Sequence, residues 1–210
     1  MLATGLAGLT AIPIASSVYW ILSTRYKGGS EPNPLMVGAV GQVSALFVML
    51  VLSVVLHISL QCFLHYDSLS KLLGVTVLSL SFILVVSYIS EKTTGEGDLV
   101  NPGIREAIRS LGFFRSCMAL LVLAPLTEEL IFRGFLQYSI AGFIGGLASL
   151  LLVSILFSLM HYRITKPLGV LLVFVTGLVF GLPVYLGSGL YASVASHLTA
   201  NLYGLVRLDK

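Results

Sequence analysis

The chain has 210 residues, 57% hydrophobic and 10% charged, with a formal net charge of +3. A soluble domain carries about 25% charged residues, so this composition and a mean hydropathy of +0.99 exclude a soluble enzyme. The small positive charge gives no footprint for nucleic acid, and two cysteines, Cys62 and Cys117, without CxxC spacing exclude a disulfide framework or a cysteine metal site.

Residues 1–23 contain no Lys or Arg, and the first positive charges, Arg25 and Lys27, follow the apolar run. A signal peptide carries its charge before that run, so a retained first membrane helix is predicted. A spanning helix needs roughly 20 mostly apolar residues. Such segments occur at about 3–23, 36–62, 72–90, 116–139, 142–161, 168–186 and 190–206, the long second one with room for a kink. Residues 24–35 are rich in Gly, Pro and charge, a turn signature. Residues 91–115 form the one long polar stretch. Within it Ile104, Ile108, Leu111 and Phe114 recur at helical spacing against Arg105, Arg109 and Arg115, which predicts an amphipathic helix on the membrane surface. The fold class is therefore all-α: a single polytopic membrane domain over 1–210, with about seven transmembrane helices and one interfacial helix.

Seven spans place Arg25, Lys27, Lys92, Arg105, Arg109, Arg115, Arg163, Lys166, Arg207 and Lys210 on one side, and only Lys71 on the other. That asymmetry predicts an outward N-terminus and a cytosolic C-terminus.

The fourth segment contains "LAPLTEELIFRGFLQ", residues 123–137. A charge at the bilayer centre costs roughly 2.5–3.5 kcal/mol on insertion scales and usually marks function. Glu129 and Arg133 are four apart and share a helix face, so they can pair. Glu128 points about 100° away and needs another partner. Polar candidates lie on two other segments: His161 at the end of the fifth, and His197 with Asn201, four apart, in the seventh. His57, in mid-segment, reads as a satisfied core histidine, and His65 as interfacial. Three segments each bringing Glu, His or Asn inward suggest one shared site. A glutamate beside a histidine can hold and deprotonate water. A second histidine and an amide on one helix face can donate to a developing oxyanion. The chemistry read from these parts is hydrolysis of a carbonyl substrate by activated water, with no cofactor and no metal ion expected.

Glu128-Glu129-x-x-x-Arg133, Phe157-x-x-x-His161 and His197-x-x-x-Asn201 resemble, in order, the three motifs of the CAAX protease and bacteriocin-processing (CPBP, or Abi) family, which includes the type II CAAX prenyl endopeptidases. The resemblance covers about 104–206. It implies an intramembrane glutamic endopeptidase in which Glu128 activates water with help from His161, while His197 and Asn201 form the oxyanion hole. Glu129 and Arg133 would position the site, and Phe157 would pack beneath His161. The expected partners are membrane lipid and a membrane-associated peptide or protein, lipidated or not. The compact helical chain favours a prokaryotic cell-membrane homologue with its site nearer the cytosolic side. The competing readings are a zinc-dependent membrane hydrolase and a non-enzymatic transporter or immunity protein. One geometric problem arises. At 1.5 Å per residue Glu128 lies roughly 20 Å from Arg115 along a straight helix, whereas His161 is two residues from Arg163. A kink or helix start at Pro125 would resolve it, with Arg115 assigned to the surface helix.

Overall fold

A computed structural model describes residues 1–26, 31–94, 102–162 and 167–208. Lys27, Arg163, Lys166 and Lys210, together with the side chains of Ile104 and Arg207, lie outside what is described. All regular structure among the described residues is helical: α1 (Leu2–Tyr26), α2 (Pro34–Val55), the short α3 (Gln61–Leu64), α4 (Leu69–Thr94) and α5 (Pro102–Leu111). A composite helix, α6, then runs over 113–144, followed by α7 (Gly146–Met160), α8 (Pro167–Tyr185) and α9 (Gly189–Leu208).

Among the described residues, four helices are long and apolar enough to cross a membrane: Leu2–Tyr26, Pro34–Val55, Leu69–Ile89 and Leu168–Tyr185. Their outward faces carry exposed Ile14, Phe47, Val54, Val77 and Phe82, whereas Glu129, Arg133, His197 and several serines are buried. A polar interior beneath an apolar surface is the pattern of a protein solvated by lipid, where polar side chains must find partners within the bundle. The chain is an integral membrane protein.

The sequence-predicted second segment divides. α2 ends at Val55, and His57 takes a left-handed backbone conformation (φ 51°) in an exposed turn. It is therefore not a core histidine. An amphipathic helix forms over Pro102–Leu111 and stops there; Gly112 (φ 86°) breaks it. Phe114 and Arg115 consequently belong to the first turn of α6, not to α5. Asn33 fastens α5 to the bundle. Its Oδ1 accepts from the backbone of Leu35 and Met36 at the start of α2, and its Nδ2 donates to the Ala107 carbonyl and the Ser110 hydroxyl.

α6 is the axis of the fold and packs against α1, α2, α7, α8 and α9. Every residue from Ile131 to Gln137 is buried, so this stretch is enclosed on all sides. Ile131, Phe132 and Phe135 pack with Met49 of α2, Phe63 of α3, Ile83 of α4, Val153 and Phe157 of α7, and Phe180 of α8. α1 lies along α2 at close range: a Cβ on Gly41 would stand 2.9 Å from the Ile12 carbonyl oxygen, and only glycine allows that approach.

Candidate active site

α6 is not a uniform α-helix. Residues Met118–Leu123 and Leu130–Gln137 are π-helical, on either side of α-helical Ala124–Glu129. π-Turns inside helices are rare and concentrate at functional sites. Here Pro125 supplies a local cause. The Ala124 N–H bonds the Ala119 carbonyl five residues back. The next bond of that series would join residue 125 to Leu120, and proline has no N–H. Asn201 of α9 replaces it: its Nδ2 donates to the Leu120 carbonyl at 2.7 Å. Pro125 thus neither starts the helix nor stops it. It lies inside a continuous helical run whose winding changes around it.

The altered winding coincides with a resolved conflict. Glu128 Oε2 lies 3.9 Å from His161 Nε2 and 3.8 Å from His197 Nε2. α7 contributes too, because its 15 residues reach only about 22 Å at 1.5 Å per residue. His161, just past its last turn, therefore stands level with Glu128 although the sequence places it beside Arg163.

Each imidazole is held by its other nitrogen. His161 Nδ1 is 2.8 Å from the Phe157 carbonyl. A carbonyl only accepts, so Nδ1 carries the hydrogen, and in the neutral ring Nε2 presents a lone pair. His197 Nδ1 is 2.7 Å from Glu129 Oε1, which fixes that ring in the same sense. Glu129 is fully buried and also pairs with Arg133, Oε2 to Nε 3.3 Å. It thus serves two cations or donors at once, where sequence spacing indicates only the arginine.

The buried Arg133 guanidinium donates from Nη2 to the Gly177 carbonyl at 2.9 Å. It lies against three aromatic rings, closest to Phe157 with 4.6 Å to the centroid. Such cation–π contacts strengthen when desolvated and offset part of the cost of burying the charge. Phe157 is placed between this cation and His161, with ring centroids 4.6 Å apart. His197 stacks on Phe180, centroids 4.5 Å apart and planes 13° apart.

Six of the seven sequence-derived site residues thus form one contiguous cluster: Glu128, Glu129, Arg133, Phe157, His161 and His197. Asn201 lies one helical turn beyond His197 with one amide hydrogen committed to Leu120; no contact brings it to the glutamates. Two members of the cluster, Phe180 and Gln42, lie outside the three sequence motifs. Phe180 is one of three aromatics in a mostly apolar helix. Gln42 of α2 donates from Nε2 to Glu128 Oε1 at 3.1 Å; a lone polar residue in an apolar segment is the signal that could have flagged it. Among the described residues no group of three His, Cys, Asp or Glu side chains is arranged to hold a metal ion.

Residues 110–203, a little under half the chain, match the family described as type II CAAX prenyl endopeptidase Rce1-like. The match is consistent with the wider CPBP family and covers every motif residue in the cluster. No curated protein matches the chain, and no solved structure does.

Proposed function

We propose, for a chain whose residues 110–203 are type II CAAX prenyl endopeptidase Rce1-like, an intramembrane endopeptidase that cleaves a membrane-associated peptide or protein with water activated by Glu128. The family is one of proteases and suggests CAAX-type activity. The observation that carries the mechanism is the convergence of Glu128 Oε2 with two imidazole Nε2 atoms at 3.8–3.9 Å. Contacts of that length suit a small bridging molecule better than a direct hydrogen bond.

A water there gives one hydrogen bond to Glu128 Oε2 and one to an imidazole Nε2, leaving an oxygen lone pair for the scissile carbonyl carbon. Glu128 takes the proton as the carbon–oxygen bond forms. The carbonyl oxygen gains negative charge, which His197 stabilises by donating from Nε2 in its imidazolium form, its Nδ1–H still bonded to Glu129. The second amide hydrogen of Asn201 completes the oxyanion hole once substrate is bound. Glu128 then returns its proton to the leaving nitrogen as the carbon–nitrogen bond breaks. Glu129 holds His197, and Arg133 holds Glu129. These steps use no metal ion or cofactor.

The whole chain acts as one domain of seven spans, N-terminus outside and C-terminus cytosolic, as the basic-residue asymmetry supports. Residues near α5 and the start of α6 face the cytosol, and peptide enters from that side.

The test compares peptides in membranes containing wild-type protein with those in membranes containing Glu128→Ala. Peptides that accumulate uncut only with the variant identify substrates, and a CAAX-type tail among them would agree with the family. Identical peptide profiles would contradict the proposal. Treatment of wild-type membranes with a strong chelator separates the zinc reading, since activity lost and restored by zinc alone would favour that mechanism.

A further inference from the structure

The two carboxylate oxygens of Glu128 have different surroundings. Oε2 faces both imidazoles, while Oε1 accepts a hydrogen bond from Gln42 Nε2 at 3.1 Å. A carboxylate only accepts, so the amide nitrogen is the atom that must face it. Gln42 belongs to α2, outside the matched residues 110–203.

We propose that Gln42 is a positioning residue for hydrolysis. It fixes Oε1 so that Oε2 remains aimed at the water between His161 and His197. The inference rests on Glu128 acting as the base.

Three observations support it. First, a glutamate has three side-chain torsions and the last is broad and roughly two-fold. The two imidazoles, at 3.8–3.9 Å from Oε2, leave the carboxylate free to turn; an anchor on Oε1 fixes its plane. Second, the anchor is itself well seated. The neighbouring Gly41 lets α2 approach α1 so closely that an added Cβ would meet the Ile12 carbonyl. Asn33 caps the start of α2 and ties it to α5. Third, Gln42 is the only side chain with an amide in a helix that is otherwise apolar apart from two serines. In lipid such a group needs an internal partner, and the one it has is the proposed reacting carboxylate. The bland alternative is that Glu128 merely satisfies Gln42.

Turnover separates the two. Gln42→Met keeps the length and removes the donor. Gln42→Asn keeps the amide and shortens its reach. Each is reconstituted in phospholipid vesicles with a prenylated CAAX-type peptide, and kcat and KM are measured per folded molecule beside Glu128→Gln. Misplacement of a reacting group by about 1 Å can cost about 10²-fold. Both variants should therefore lose about tenfold to a hundredfold in kcat with KM within about twofold. A structural role alone would lower the folded yield and leave kcat unchanged. Unchanged kcat in either folded variant, with Glu128→Gln inactive, overturns the role of Gln42 and leaves that of Glu128 standing. An active Glu128→Gln overturns both.

Discussion

Arg133 shows how a charge is tolerated at the centre of this bundle. Its guanidinium is buried among three rings, paired with Glu129 and hydrogen-bonded to the Gly177 carbonyl. Removing one member of a buried ion pair costs about 3–5 kcal/mol because the other charge is left unpaired. Arg133→Ala should therefore lower the thermal midpoint of the purified protein and reduce folded yield, as well as disturb Glu129 and through it His197. A normal midpoint would show that Glu129 does not depend on the pair. His197→Ala is expected to behave differently, with turnover falling about 10²–10³-fold, the usual loss for one oxyanion donor, and KM much less affected. The Glu129–Arg133 pairing was legible from its i,i+4 spacing. The hydrogen bond from His197 to Glu129 was not, because 68 residues separate them and no local rule links positions on different helices.

At the scale of elements, α6 departs most from a simple reading. Apolar periodicity locates the segment but is silent on π-winding, which in Met118–Leu123 leads into the missing N–H of Pro125. Asn201 occupies the Leu120 carbonyl that Pro125 leaves without a partner. Two variants separate its structural use from a chemical one. Asn201→Ala strands that carbonyl, at a cost of about 1–3 kcal/mol where no replacement partner is found. Pro125→Ala restores an N–H five residues on, so the double variant should unfold at a higher temperature than Asn201→Ala. If the other amide hydrogen of Asn201 serves the oxyanion, turnover stays low in the double variant. Recovery of turnover together with stability would show the asparagine to be purely structural. The ends of the second segment were likewise hidden in composition. Residues 36–62 are apolar enough to read as one span, yet the chain turns after Val55. The amphipathic α5 was readable because its apolar face repeats every three to four residues, while its end at Gly112 depends on a positive φ that the arginine pattern on both sides conceals.

For the whole molecule, composition alone identifies a membrane protein, since so little charge and so high a hydropathy suit no soluble fold. The meeting of α6, α7 and α9 was readable only through the polar residues they carry, because apolar helices give no sign of which neighbours they choose. Gln42 brings α2 to the same point, and its single amide gives no indication of which helix it will face. Seven spans require opposite sides for the two termini. Reporters active only in the cytosol should therefore respond at the C-terminus and not at the N-terminus; a matching response at both ends would refute that topology.

The role of Glu128 as the base is decided by the turnover of Glu128→Gln, purified in lipid and folded like wild type, on a prenylated CAAX-type peptide that the wild-type protein cleaves. The amide preserves shape but cannot take the proton of the attacking water, and a positioned general base contributes about 10²–10⁴-fold. A loss of that size or larger, with the thermal midpoint near that of wild type, is the expected result. Retention of most of the wild-type rate would contradict the account.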